Sequence, residues 1–119
     1  LPSDLVIKHA LGLWSSDVVL YTLDDLNQDD LETAEARLSN HIARIRAVNE
    51  ELTRVWLAED LNTLEKMLTL IEQLRTGDLT PQRRTEIRSL LTYILNAFGR
   101  ARNGFDRRVF LSPPELSAP

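Results

Sequence analysis

The chain has 119 residues, a formal net charge of −4 and no cysteine. Apolar residues make up 43% and charged residues 27%, which is atypical of a disordered tail and of a membrane-spanning bundle. The lack of cysteine excludes disulfide scaffolds, zinc–thiolate knuckles, iron–sulfur clusters and thiol nucleophiles. The length suits a single domain, and because the sequence begins at Leu1 we expect a fragment or a processed product.

Charge is unevenly distributed along the chain. Residues 1–80 carry 15 acidic and 7 basic groups, a balance of −8, whereas residues 81–119 carry 3 acidic and 7 basic groups, a balance of +4. Such an asymmetry can indicate an interaction surface. The alternative is that the two halves pack side by side and neutralise each other.

The first segment predicts a helix. Pro2-Ser3-Asp4 is a good helix start, and apolar residues follow at helical spacing. The β-branched run Val18–Tyr21 also suits a short strand, but no second strand is evident to pair with it. Charged residues interrupt the segment too often for a membrane span, and no basic leader precedes a small-residue cleavage site.

The second segment, from Asp30 to Arg75, contains no Gly or Pro over 46 residues and is predicted to be helical. Asp29 or Asp30 is expected to cap its start. One series of apolar residues comprises Leu31, Ala34, Leu38, Ile42, Ile45, Val48, Leu52 and Val55. A second series comprises Leu61, Leu64, Leu68, Ile71 and Leu74.

These two apolar series do not share a helical frame. Leu52 and Leu61 are nine residues apart, which at about 100° per residue rotates the apolar stripe by half a turn. We therefore predict either a kink near Glu59-Asp60 or one long helix that meets different neighbours at its two ends. Unbroken coiled-coil heptads are disfavoured.

A turn is predicted at residues 76–80. Gly77 suits the position after a helix, Thr80 suits an N-cap, and Pro81 suits a first helical position. The last helix is predicted to run from Pro81 to about Asn103 and to end at Asn103-Gly104. Its stripe consists of Ile87, Leu91, Ile94, Phe98 and Ala101, and Leu90, Leu95 and Ala97 widen it.

These elements predict an all-α fold, an antiparallel up-and-down bundle of three to five helices built on a long helical hairpin. The short connector makes the Leu61–Leu74 and Ile87–Ala101 faces antiparallel neighbours. Residues 1–111 are predicted to form one domain, and residues 112–119 an extended Pro-rich tail.

No metal site, cofactor or catalytic residue is predicted. His41 is preceded at the third position by Leu38, so the Glu-x-x-His pair of di-iron bundles is missing. Both His9 and His41 are therefore interpreted as ordinary helix-surface residues. The acidic run from Asp25 to Asp29 resembles the start of a calcium loop but lacks the Gly and the bidentate Glu that such a loop requires.

The basic residues of the last third do not predict nucleic-acid binding. The isoelectric point is near 5.1, Lys is scarce, and stacking aromatics and a recognition-helix pattern are missing. Trp14 and Tyr93 are expected in the core. Partner contacts are instead assigned to Trp56, where the stripe changes face, and to residues near or past the end of the last stripe: Arg100, Phe105, Arg107, Arg108 and Phe110.

Because the helical pattern is strong and catalytic motifs are missing, the sequence predicts a non-enzymatic module for protein–protein interaction or oligomerisation. A homodimer is its expected state, and no transmembrane segment is predicted. The alternative is a ligand-sensing helical bundle domain of a bacterial signalling protein. A third class is an enzyme whose site is assembled across a dimer.

Overall fold

A computed structural model describes the backbone of residues 2–52 and 58–111 and the side chains of residues 6–51 and 58–101. Four helices form in these ranges: α1 (Pro2–Asn27), α2 (Leu31–Leu52), α3 (Ala58–Thr76) and α4 (Pro81–Leu111). Successive helices pack against each other, and α4 also packs against α1, which closes a ring of four. The described residues contain no strand. The predicted all-α, up-and-down bundle is confirmed.

Helices α1 and α4 run antiparallel over much of their length. Ser16 Oγ donates a hydrogen bond of 3.0 Å to the carbonyl oxygen of Gly99. Ten residues further along α1, the carbonyl oxygen of Leu26 accepts a hydrogen bond from Arg88, eleven residues earlier on α4.

Helices α2 and α3 form a second antiparallel pair. Arg46 lies 2.8 Å from Glu65 near one end, and Arg75 pairs with Glu35 near the other. The long Gly- and Pro-free segment is thus two helices folded against each other, and the expectation of one helix, kinked or straight, is wrong for residues 30–75. The half-turn offset between the two apolar series reflects the reversal of chain direction between α2 and α3.

Side-chain caps follow both of the turns that the structure describes, the α1–α2 turn and the α3–α4 turn. Asp30 Oδ1 accepts a hydrogen bond of 3.2 Å from the Thr33 amide, and Thr80 Oγ1 accepts one of 3.1 Å from the Arg83 amide. Both predicted caps are confirmed. Gly77 follows α3 without a positive φ; here a Cβ would stand 2.5 Å from the Gln73 carbonyl oxygen, so close approach favours glycine.

Helix α4 is longer than the sequence predicts. Its backbone continues through Asn103-Gly104 to Leu111, so the expected end near Asn103 is wrong. One interior Gly costs a helix only about 1 kcal/mol relative to Ala, a cost that a long packed helix tolerates. The expected tail, residues 112–119, lies outside the described residues.

The core follows most of the predicted stripes. Its largest fully buried apolar side chains come from all four helices: Val19, Leu26, Leu38, Ile45, Leu64, Met67, Ile71, Leu74, Ile87, Leu91 and Leu95. Trp14 packs against this cluster, as expected. The α4 stripe departs from expectation because Leu90, Ala97 and Ala101 are exposed, and the predicted core placement of Tyr93 is wrong.

Candidate interaction surface

Two arginines of α4 bind the ends of neighbouring helices. Arg84 donates a hydrogen bond of 2.8 Å to the carbonyl oxygen of Leu74, in the last turn of α3. Arg88 donates to the carbonyl oxygen of Leu26, in the last turn of α1, and pairs at 3.2 Å with Asp29. The last carbonyls of a helix lack internal partners and carry partial negative charge, so a guanidinium stabilises them. These two charges are engaged inside the bundle.

Several carboxylates near the α1–α2 turn also have partners within the chain. Asp25 accepts a 2.8 Å hydrogen bond from Arg37, and Glu35 pairs with Arg75. Hydrogen bonds from the side chain and amide of Thr33 lower the pKa of Asp30. Among the described side chains, no group of three or more His, Asp or Glu residues is placed to hold a metal ion.

A polar contact is buried between α1 and α2. Ser15 Oγ lies 2.8 Å from His41 Nε2, and the Trp14 ring meets the His41 ring edge-on with centroids 4.7 Å apart. His41 is only 1% exposed, so its interpretation as a surface histidine is wrong. Burial, assisted by the nearby charge of Arg44, lowers the pKa of His41 to about 4.

This Ser–His pair is within hydrogen-bond distance, but it lies in the interior of the bundle. Ser15 is 3% exposed, so its Oγ is buried away from the surface. No described residue bonds His41 Nδ1, so the described residues supply no third group that orients the ring as in a catalytic triad. The pair fixes the register of α1 against α2, with a neutral imidazole at neutral pH.

The outer face of α4 carries a continuous row of exposed side chains, which we call the α4 ridge. It consists of Glu86, Leu90, Tyr93, Ala97 and Arg100, spaced alternately four and three residues apart. Leu90 is 49% exposed and Tyr93 is 72% exposed. The ridge is therefore apolar along its middle, with an acid at one end and a base at the other.

An open depression, the α3–α4 groove, runs beside this ridge with a volume of about 450 Å³. Leu70, Leu90 and Ile94 supply its apolar wall. The complete lining is Asn62, Glu65, Lys66, Thr69, Leu70, Leu90 and Ile94. Together, the groove and the ridge make an exposed surface of aliphatic and aromatic groups with a polar margin.

Of the six residues predicted to contact a partner, the structure describes the side chain of one. Arg100 is exposed at the end of the α4 ridge, where its Nε donates a 3.3 Å hydrogen bond to Asn96 Oδ1. Trp56 lies outside the described residues. The side chains of Phe105, Arg107, Arg108 and Phe110 also lie outside them, and their roles stay predictions.

Comparisons with protein-family models, curated proteins and solved structures find no match. The surface must therefore be interpreted from its own residues. Within the described part of the chain, no helix combines the length and apolar character that crossing a bilayer requires.

Leu90 and Tyr93 are the surface residues that sequence reasoning missed. Both were assigned to the core because they are apolar and lie beside the α4 stripe. A signal was available, however. About 100° of rotation per residue places Tyr93 nearly opposite Leu91, the centre of the buried face, and Leu90 at its side.

Proposed function

We propose that this chain is a non-enzymatic interaction module that binds the apolar face of a helix from another protein chain. The observation that carries the proposal is the exposure of Tyr93, 72%, and Leu90, 49%, side by side on the α4 ridge. A single exposed apolar side chain is ordinary, but a contiguous row beside an apolar groove is typical of a docking surface.

The chemistry of the surface favours a helix as its occupant. Helix recognition uses an apolar groove that accepts anchors at spacings of three and four residues, and the α3–α4 groove runs along two helices. Tyrosine is enriched at the centre of interfaces because its ring contributes large contact area at low entropic cost. Lys66 and Glu65 provide a polar rim on the α3 side.

One observation favours the second candidate, a ligand-sensing bundle. The groove volume of about 450 Å³ lies within the range of small-molecule sites. Such sites enclose most of the ligand, however, whereas Leu90 in this wall is half exposed. A metabolite that raises the melting temperature of the wild-type chain, but not of a Leu90→Glu variant, would favour this candidate.

Site-specific photo-crosslinking tests the interaction module. A photoreactive phenylalanine analogue replaces Tyr93, and a matched protein carries it at Tyr21, which is 58% exposed on α1 beside Arg37 of α2. Both proteins are irradiated pure and in an extract of cells that naturally contain the chain. We expect a discrete crosslinked band from position 93 and none from position 21.

A band from position 93 that disappears when Leu90→Glu is added would support docking on the ridge and groove. Bands of equal strength from both positions would indicate nonspecific contact and contradict the proposal. Irradiation that yields no band from position 93, in either sample, would contradict it as well.

A further inference from the structure

We propose that the partner of this surface is a second copy of the chain, with the two α4 ridges antiparallel about a two-fold axis at Tyr93. This inference rests on the proposed function and names its occupant. A two-fold interface uses the same patch on both subunits, so the patch must complement itself when rotated. The α4 ridge meets that condition in charge and in size.

The charges complement each other about Tyr93. Glu86 lies seven residues before Tyr93 and Arg100 seven residues after it. When two such ridges run antiparallel with their tyrosines opposed, Glu86 of each copy lies level with Arg100 of the other. The two opposite-charge pairs lie at the ends of a contact about 21 Å long, the rise of 14 helical residues.

The apolar residues complement each other in size. Leu90 lies three residues before Tyr93 and Ala97 four residues after it, so the larger side chain of each copy faces the smaller one of the other. This alternation lets one ridge fit beside the other. A parallel arrangement would place Leu90 on Leu90 and Glu86 on Glu86, which brings like charges together.

The present partners of the charged residues do not compete strongly with this contact. Arg83 and Glu86 are 3.9 Å apart with side chains 60% and 56% exposed. Among the described side chains, Arg100 bonds Asn96 at 3.3 Å at the surface. Exposed pairs of this kind contribute little to stability, so Glu86 and Arg100 are available to another chain.

The proposed contact between the two α4 ridges is small, so dimerisation must be measured over a range of concentrations. Because the ridge spans only about 21 Å of one helix, we expect its interface to fall at the low end of the size range of stable complexes. We expect a dimer that dissociates on dilution. Sedimentation velocity at concentrations from about 5 to 500 µM, at low and high salt, follows this equilibrium.

Charge reversal tests the register. Glu86→Arg and Arg100→Glu each bring like charges together at both ends of the contact, and we expect each to weaken dimerisation about tenfold or more. The double variant E86R/R100E restores opposite charges and should recover the wild-type affinity. Glu50→Arg, exposed on α2 at the diagonal of the bundle, is the control and should leave dimerisation unchanged.

Tyr93→Glu tests the centre of the interface and should abolish the dimer, whereas Tyr21→Glu should not. Circular dichroism of each variant shows whether the helices remain. A wild-type chain that stays monomeric at every concentration would overturn the second-copy proposal. A dimer that survives Tyr93→Glu would do the same, and failure of E86R/R100E to recover affinity would overturn the antiparallel register.

These outcomes separate the two proposals. A monomeric chain that still crosslinks from position 93 to a different protein would refute the second copy and leave the interaction module standing. A chain that neither dimerises nor crosslinks from that position would refute both.

Discussion

The inner and outer sides of α4 are packed in opposite ways. On the inner side, Gly99 lies so close to α1 that a Cβ would stand 2.6 Å from Leu20 Cδ2, and Ser16 bonds the Gly99 carbonyl. On the outer side, Leu90 and Tyr93 remain exposed beside the α3–α4 groove. One helix can thus close a bundle on one side and expose apolar side chains on the other, because helical rotation distributes neighbouring apolar residues between two faces.

The largest expected effect separates two adjacent leucines. Leu91 is fully buried, whereas Leu90 is 49% exposed. Leu91→Ala should lower the free energy of unfolding by about 4 kcal/mol, because it removes core contacts and leaves a cavity. Leu90→Ala should lower it by less than about 1 kcal/mol. Urea denaturation of a dilute, monomeric sample measures both, and equal losses would mean that the outer side is as firmly packed as the inner one.

The buried contact between α1 and α2 predicts a loss of stability in acid. Burial lowers the pKa of His41 from 6.5 to about 4. Between these pH values, His41 is protonated in the unfolded chain but neutral in the folded chain. The free energy of unfolding should therefore fall by about 3 kcal/mol as the pH drops through this window. Above pH 6.5 this contribution is fully present.

A pair of histidine variants tests whether His41 causes this loss of stability in acid. His41→Gln removes the titrating group and keeps a polar partner for Ser15, so its stability should lose this pH dependence. His9→Gln, the matched control, should retain it. Denaturant midpoints measured at about pH 7 and pH 4 give the change in stability between these pH values. If His41→Gln still loses stability at the lower pH, another group causes the acid sensitivity.

A smaller effect is expected where α1 and α4 approach most closely. Gly99→Val forces side-chain atoms against Leu20 and should cost about 2 kcal/mol. Adding Leu20→Ala opens space, so the double variant should be more stable than the sum of the two single changes predicts. Strict additivity in thermal or urea unfolding would indicate that the helices separate freely at this point.

The parts of the fold that sequence predicted are those set by local chemistry. Asp30, Thr80 and Pro81 indicate helix starts through their own hydrogen bonds and backbone angles, and the structure has helices starting there. Leu38 and Ile45 lie on the buried stripe because helical spacing alone defines it. The four-helix arrangement then follows from pairing such stripes.

What the sequence failed to predict depends on tertiary packing. The reversal between α2 and α3 left only a change of stripe, since residues 30–75 contain no Gly or Pro. Asn103-Gly104 looked like a helix end, but the cost of a Gly is small beside the length of α4. His41 was expected at the surface but is buried, because a neighbouring helix covers it. Tyr93 was expected in the core but is exposed, because no described helix covers it.

The candidate surface was predictable only in part. Arg100 was identified from its position near the end of an apolar stripe, but Leu90 and Tyr93 were assigned to the interior. Exposed and buried apolar residues have the same sequence signature on a helix, so only the packing of α3 and α1 against α4 distinguishes them.

The pairing of α1 with α4 also constrains the order of folding. Ser16 and Gly99 are 83 residues apart, the longest separation among the hydrogen bonds described above. Joining such distant segments carries the largest loop-closure cost, whereas α2 and α3 meet across a short connection. We expect the contacts between successive helices to form first and the contact between α1 and α4 to form last. During synthesis, the side of α1 that packs against α4 thus remains uncovered until the last helix has left the ribosome, and this interval is when the chain is most prone to aggregate.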